Sequence, residues 1–115
     1  GHLAKGSSLL FDLKQDAGAM SDIEFITQYL VLKNAHTFEQ LTTYSDNVRI
    51  LTDAAKLGCI SQKTKEGLIA AYIDYRSHYH VLSLDQKGRC IEREHVKQHI
   101  DLVVNAWHSI FALDK

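Results

Sequence analysis

Two apolar series constrain this chain more than any other feature. Leu68, Tyr72, Tyr75, Tyr79 and Leu82 recur at spacings of four, three, four and three, and Val96, Ile100, Val103, Trp107 and Ile110 repeat the pattern. Such a series stays on one side of an α-helix, so each predicts a helix whose stripe must be buried against other helices. Proline is absent and glycine occurs six times in 115 residues, so little interrupts long helices. A chain of this length supports a single core.

Two further helices follow from local signals. Ser21-Asp22-Ile23-Glu24 has the form of a capping box, in which the Ser21 hydroxyl and the Glu24 carboxylate each take a free backbone N–H of the first turn. It predicts a helix over about residues 22–36, the most buried of the set, because Ile23, Ile26 and Leu30 lie beside a second apolar row of Phe25, Tyr29 and Leu32. Ser45 as N-cap and Gly58 as the left-handed terminator bracket the next helix, and Ser61 caps the Leu68–Leu82 helix. A turn near Asp85–Gly88 precedes the last one. Four helices joined by short polar loops predict an all-α fold, a four-helix antiparallel bundle. Leu9-Leu10-Phe11-Asp12-Leu13 reads as a short extended segment with no evident pairing partner.

Charge and composition remove several functions. Thirteen Lys+Arg against fourteen Asp+Glu leave a net charge of −1, so no global field recruits nucleic acid or an anionic membrane. No apolar run approaches the ~20 residues that span a bilayer, and there is no signal-peptide pattern, which points to the cytoplasm. Cys59 and Cys90 have no CxxC partner and read as free thiols. Gly1-His2, with no initiator methionine, reads as the start of a piece of a longer polypeptide.

The stretch FDLKQDAGAMSDIEF, residues 11–25, concentrates the chemistry. Asp12, Lys14, Asp16, Asp22 and Glu24 surround Gly18-Ala19. Lys14 and backbone N–H groups near Gly18 and the following helix start could meet a phosphate, with a cation needed between the aspartates and any bare phosphate. An ordinary capped loop accounts for the same residues. Glu92, His95 and His99 have the spacing of three metal ligands along one side of a helix, and equally that of the boundary of a buried stripe. Asp46 and Arg49 fall in one helical turn as an i,i+3 pair. No Ser-His-Asp set, P-loop or dinucleotide fingerprint occurs.

FDLKQDAGAMSDIEFITQYLVLKNAH, then LTTYSDNVRIL, then AYIDYRSHYHVLSL resemble, in that order, the C-terminal part of the bifunctional glutamine synthetase adenylyltransferase/adenylyl-removing enzyme family. The resemblance covers residues 9–84, extends more loosely through the Trp107 helix, and points to the adenylylating half. The family pattern Asp-x-Lys-x-x-x-Gly-Gly-x-x-Asp-x-Glu-Phe is matched by Asp12, Lys14, Gly18, Asp22, Glu24 and Phe25, with Ala19 in place of the second glycine. The family also has a proline after the His36 segment and an arginine where Thr43 stands.

The resemblance implies a helical domain, residues 21–115, that follows a polymerase-beta-like nucleotidyltransferase domain, with residues 1–20 as linker and the end of that domain. The extended segment near residue 10 is then a remnant of the nucleotidyltransferase domain. In the family, a Gly-Ser motif and an Asp-x-Asp pair bind magnesium and ATP, and AMP passes to a tyrosine of glutamine synthetase. Gly6-Ser7 is followed here by no Asp-x-Asp, which implies that the catalytic carboxylates lie upstream, that this piece alone is inactive and that it holds neither ATP nor Mg2+ by itself. Asp12, Lys14, Asp16, Gly18, Asp22 and Glu24 are then expected at the cofactor-binding edge. The implied partners are the catalytic domain of the same polypeptide, glutamine synthetase and a PII signal protein. The alternative is a non-catalytic docking or regulatory module for glutamine synthetase or PII. A free-standing metal protein built on His95 and His99 is a third reading.

Overall fold

The computed structural model of the chain describes residues 9–35 and 46–112. Strand β1 (Leu10–Asp12) leads into helix α1 (Met20–Asn34), followed by α2 (Asn47–Lys56), α3 (Gln62–Leu84), strand β2 (Cys90–Glu92), a 3-10 turn (Arg93–Val96) and α4 (Lys97–Ala112). The expected mostly helical architecture is present, with four helices around one core among the described residues. Gly6-Ser7, His36, Thr43 and Ser45 lie outside those residues.

The two long series do what their spacing dictates. Leu68, Tyr72 and Tyr75 on α3 are buried, as are Val96, Ile100 and Val103 leading into and along α4. Ser61 caps α3 by accepting the Thr64 N–H at 3.0 Å. Helix α2 ends at Gly58 (φ +85), where the Cys59 N–H reaches the Ala54 carbonyl at 2.8 Å and the Gly58 N–H reaches Ala55 at 3.1 Å. This pair of crossed bonds satisfies carbonyls that the helix end leaves open.

Two local expectations are corrected. Helix α1 starts at Met20 behind Ala19, with no side-chain cap, so Ser21 and Glu24 do not form a capping box. The first-turn donors already have backbone partners: Met20 N–H bonds the Leu13 carbonyl at 3.0 Å and Ser21 N–H the Lys14 carbonyl at 3.0 Å. The N-cap of α2 is Asp46, which accepts from the Val48 N–H at 3.0 Å. As expected, α1 is the most buried of the described helices, with Met20, Ile23, Ile26, Thr27 and Leu30 all buried, although Phe25 and Leu32 of its second row are 56 % and 78 % exposed.

The extended segment has a partner after all. β1 pairs antiparallel with β2, Leu10 opposite Glu92, Phe11 opposite Ile91 and Asp12 opposite Cys90. Alternation puts Phe11 and Leu13 inward, both fully buried, while Leu10 and Asp12 stay at the surface. Phe11 packs its ring 5.5 Å from that of Tyr75, tying the two-stranded ladder to α3. Phe11→Ala is therefore expected to lower the unfolding free energy by about 3–5 kcal/mol. Urea unfolding of the variant checks this, and a loss below about 1 kcal/mol would show that the ladder is not part of the cooperative core.

Candidate functional site

The charged stretch folds into a turn between β1 and α1 in which most charges hold the backbone. Asp12 Oδ1 accepts the N–H groups of Lys14 at 2.9 Å and Gln15 at 3.1 Å. Asp16 Oδ2 accepts the Asp12 N–H at 2.8 Å. Each carboxylate also meets an arginine that arrives with β2: Asp12 accepts from Arg89 Nε at 3.1 Å, and Asp16 lies 3.6 Å from Arg93 Nη2. The Arg93 guanidinium sits 5.3 Å above the Phe11 ring. These pairs are largely solvated and contribute little stability individually, but they match two aspartates four residues apart with two arginines four residues apart.

Gly18 is the pivot of the turn. Its φ of +87° is strained for any residue with a side chain, and a Cβ there would lie 3.1 Å from both the Ile100 carbonyl oxygen and its Cγ2. Its N–H donates to Asp22 Oδ2 at 2.8 Å, and its carbonyl accepts from the Tyr75 hydroxyl at 2.8 Å. Ala19, in place of the family's second glycine, sits at φ −91 and is fully buried, so a methyl group fits without backbone strain.

Lys14 and Glu24 are held more loosely. Lys14 Nζ is 3.8 Å from Glu24 Oε2, with both side chains about a third exposed. Glu24 also ends a polar chain that enters the core. The Tyr72 hydroxyl donates to Glu24 at 3.4 Å, Asn47 Nδ2 donates to Tyr72 at 3.1 Å, and the buried Thr27 hydroxyl lies 2.6 Å from Asn47 Oδ1. Lys14 Nζ also lies 5.9 Å from the centre of the Tyr79 ring, and the Arg76 guanidinium 5.3 Å from that of Tyr72.

The turn thus gathers all six expected residues but divides their work. Asp12, Asp16, Gly18 and Asp22 close it, while Lys14 and Glu24 keep hydrogen-bonding capacity toward solvent. With the aspartates engaged by backbone N–H groups, the donor set does not fit a magnesium ion. Arg89 and Arg93 were not singled out by sequence, since they gain meaning only from the strand register.

The three-ligand reading of Glu92, His95 and His99 is overturned. Glu92 closes β2, His95 lies in the 3-10 turn and His99 in α4, so one helical phase never joins them. His95 pairs with Glu92 at 3.2 Å and His99 with Asp74 at 3.2 Å. Among the described residues, no group of three His, Cys, Asp or Glu side chains could hold a metal ion. On another face, Phe25 stacks on Trp107 with centroids 5.4 Å apart, and Phe111 lies 4.6 Å from Trp107 and 4.5 Å from Tyr29. No helix among the described residues is long and apolar enough to cross a membrane.

The sequence model of the family described as GlnD PII-uridylyltransferase matches residues 2–98. Three curated relatives share the description bifunctional glutamine synthetase adenylyltransferase/adenylyl-removing enzyme. That of Idiomarina loihiensis is 42% identical over 113 residues, covering 98% of this chain and 12% of its own length. Those of Shewanella woodyi and Haemophilus ducreyi are 41% and 40% identical, covering 95% and 96% of this chain and 11% and 12% of theirs. The chain therefore spans about an eighth of the length of these relatives.

Burial, reinforced by the Asp74 charge and opposed by Arg93, pushes the Tyr75 hydroxyl well above the usual phenol range. The folded state therefore retains a proton that the unfolded chain releases near pH ~10. Stability from this group is complete below that pH and falls as pH rises above it. Tyr75→Phe leaves the buried Gly18 carbonyl without its donor and is expected to cost about 1–3 kcal/mol at neutral pH. It should also flatten the alkaline decline, as chemical denaturation across pH 8–11 (~) will show.

Proposed function

The chain belongs to the family whose sequence model is described as GlnD PII-uridylyltransferase, and matches part of the glutamine synthetase adenylyltransferases; from that premise we propose that it is the helical domain of such an adenylyltransferase. The whole polypeptide would move AMP from ATP to a tyrosine of glutamine synthetase in the cytoplasm, regulating nitrogen assimilation. Identity of about 40% across almost all of this chain carries the reading.

In this reading the domain, residues 21–115, packs on a nucleotidyltransferase domain of which residues 1–20 are the end, and contributes no metal ligand. ATP and Mg2+ belong to the catalytic domain, which supplies the phosphoryl chemistry. The division of labour in the turn supports a refinement of the six-residue edge. Asp12, Asp16, Gly18 and Asp22 shape the backbone, and Lys14 and Glu24 face nucleotide or substrate. Lys14 would offer its ammonium to a phosphate oxygen, and Glu24, held by Tyr72, would orient that ammonium.

A second reading is a non-catalytic docking or regulatory module for glutamine synthetase or a PII protein. The half-exposed aromatic group around Phe25 and Trp107 favours it, since large exposed apolar groups mark contact surfaces.

Lys14→Ala and Glu24→Ala in the full-length enzyme decide between them. The site reading expects AMP transfer to glutamine synthetase to fall at least about tenfold in kcat/KM, or about 1.4 kcal/mol. Unchanged kcat and KM in folded variants would remove Lys14 and Glu24 from the site. The 115-residue chain alone is expected to transfer no AMP.

A further inference from the structure

Among the described residues, the two-stranded ladder has one closed edge and one open edge. The Arg93 N–H bonds the Leu9 carbonyl at 2.7 Å and the Leu13 N–H bonds the Arg89 carbonyl at 2.9 Å. With the register Leu10–Glu92, Phe11–Ile91 and Asp12–Cys90, the bonded pairs are Leu9–Arg93, Phe11–Ile91 and Leu13–Arg89. The backbone groups of Leu10 and Asp12 on β1, and of Cys90 and Glu92 on β2, therefore point away from the ladder.

On β1 three of those outward groups are engaged by the molecule itself. Asp12 N–H donates to the Asp16 carboxylate at 2.8 Å, the Asp12 carbonyl accepts from Asp16 N–H at 3.3 Å, and the Leu10 carbonyl accepts from Arg93 Nη2 at 3.4 Å. On β2, the Cys90 N–H and carbonyl and the Glu92 N–H have no partner among the described residues. Arg89-Cys90-Ile91-Glu92 contains neither the proline nor the lysine that commonly protects an exposed edge. Leu9, 77 % exposed, stands at the end of the ladder beside a groove of about 350 Å3 that Glu92, Arg93, Glu94 and Lys97 complete.

Resting on the reading that the chain is one part of a longer nucleotidyltransferase polypeptide, the geometry points to the outer edge of β2 as the place where an extended segment of that polypeptide adds as a third strand. Three lines support this occupant. An isolated two-stranded ladder of three residues per strand is a marginal structure that a third strand completes. Nearly nine-tenths of each relative lies outside the matched region, so such a segment is available in the same molecule. Covalent connection gives it an effective concentration that a separate protein lacks. Its recognition is by main-chain hydrogen bonds to Cys90 and Glu92.

Hydrogen exchange at single amides tests the proposal by comparing the 115-residue chain with the full-length enzyme. The Cys90 and Glu92 amides should exchange about 100-fold more slowly in the full-length enzyme, whereas the Asp12 amide, already held by Asp16, should not change. Equal rates for Cys90 and Glu92 in both proteins overturn the proposal. If helix amides slow while these two do not, the domain packs elsewhere and only strand addition falls. If no amide slows, interdomain packing falls with it. Slowing that appears in the isolated chain as its concentration rises identifies a second copy as the occupant and also overturns the proposal.

Discussion

The left-handed turn at Gly18 is fixed from three directions, and the arrangement of the other elements follows from it. Asp22 holds its N–H, Tyr75 holds its carbonyl from the middle of α3, and Ile100 and Val104 of α4 close over its α-carbon. The start of α1 and the two longest helices thus converge on one residue that has no side chain. The Tyr75 bond is buried, so its loss exposes no carbonyl to water and offers no replacement donor. The turn also reverses the chain so that Met20 and Ser21 find backbone acceptors in Leu13 and Lys14, which is why α1 needs no side-chain cap.

The helical part of this fold is legible in sequence because its determinants are local or periodic. Ser61 and Gly58 act within a few residues of themselves, and the stripes of α3 and α4 record burial against a common core whatever the order of packing. The ladder is not legible in the same way. Its strands are three residues long, lie about eighty positions apart in sequence and carry no hairpin turn between them, so no local signal pairs them. Ser21 and Glu24 misled for a related reason: the Ser21 N–H that the Glu24 carboxylate would serve is met by the Lys14 carbonyl of the turn after β1. Glu92, His95 and His99 have helical spacing, but the chain is extended at Glu92, so the periodic argument fails at its first member.

The charged turn was legible as a cluster and not as a mechanism. Sequence shows the six residues together; only the structure shows that Asp12 and Asp16 are matched to Arg89 and Arg93 across the ladder. Pairs this exposed contribute little to stability, but a shift of one residue in register would separate them and turn Phe11 and Leu13 outward. Their role is to select one pairing over its neighbours. Lys14 and Glu24 stand apart because their contacts are long and lead inward through Tyr72 and Asn47 to Thr27, joining the turn to α1, α2 and α3.

Trp107 is the chain's single tryptophan, held between Phe25 of α1 and Phe111 of its own helix. Its indole therefore acts as a built-in optical reporter for one seam of the molecule. Fluorescence excited at the indole follows the contact of the first and last helices and is silent about the ladder, so the two ends of the fold can be watched separately without a label.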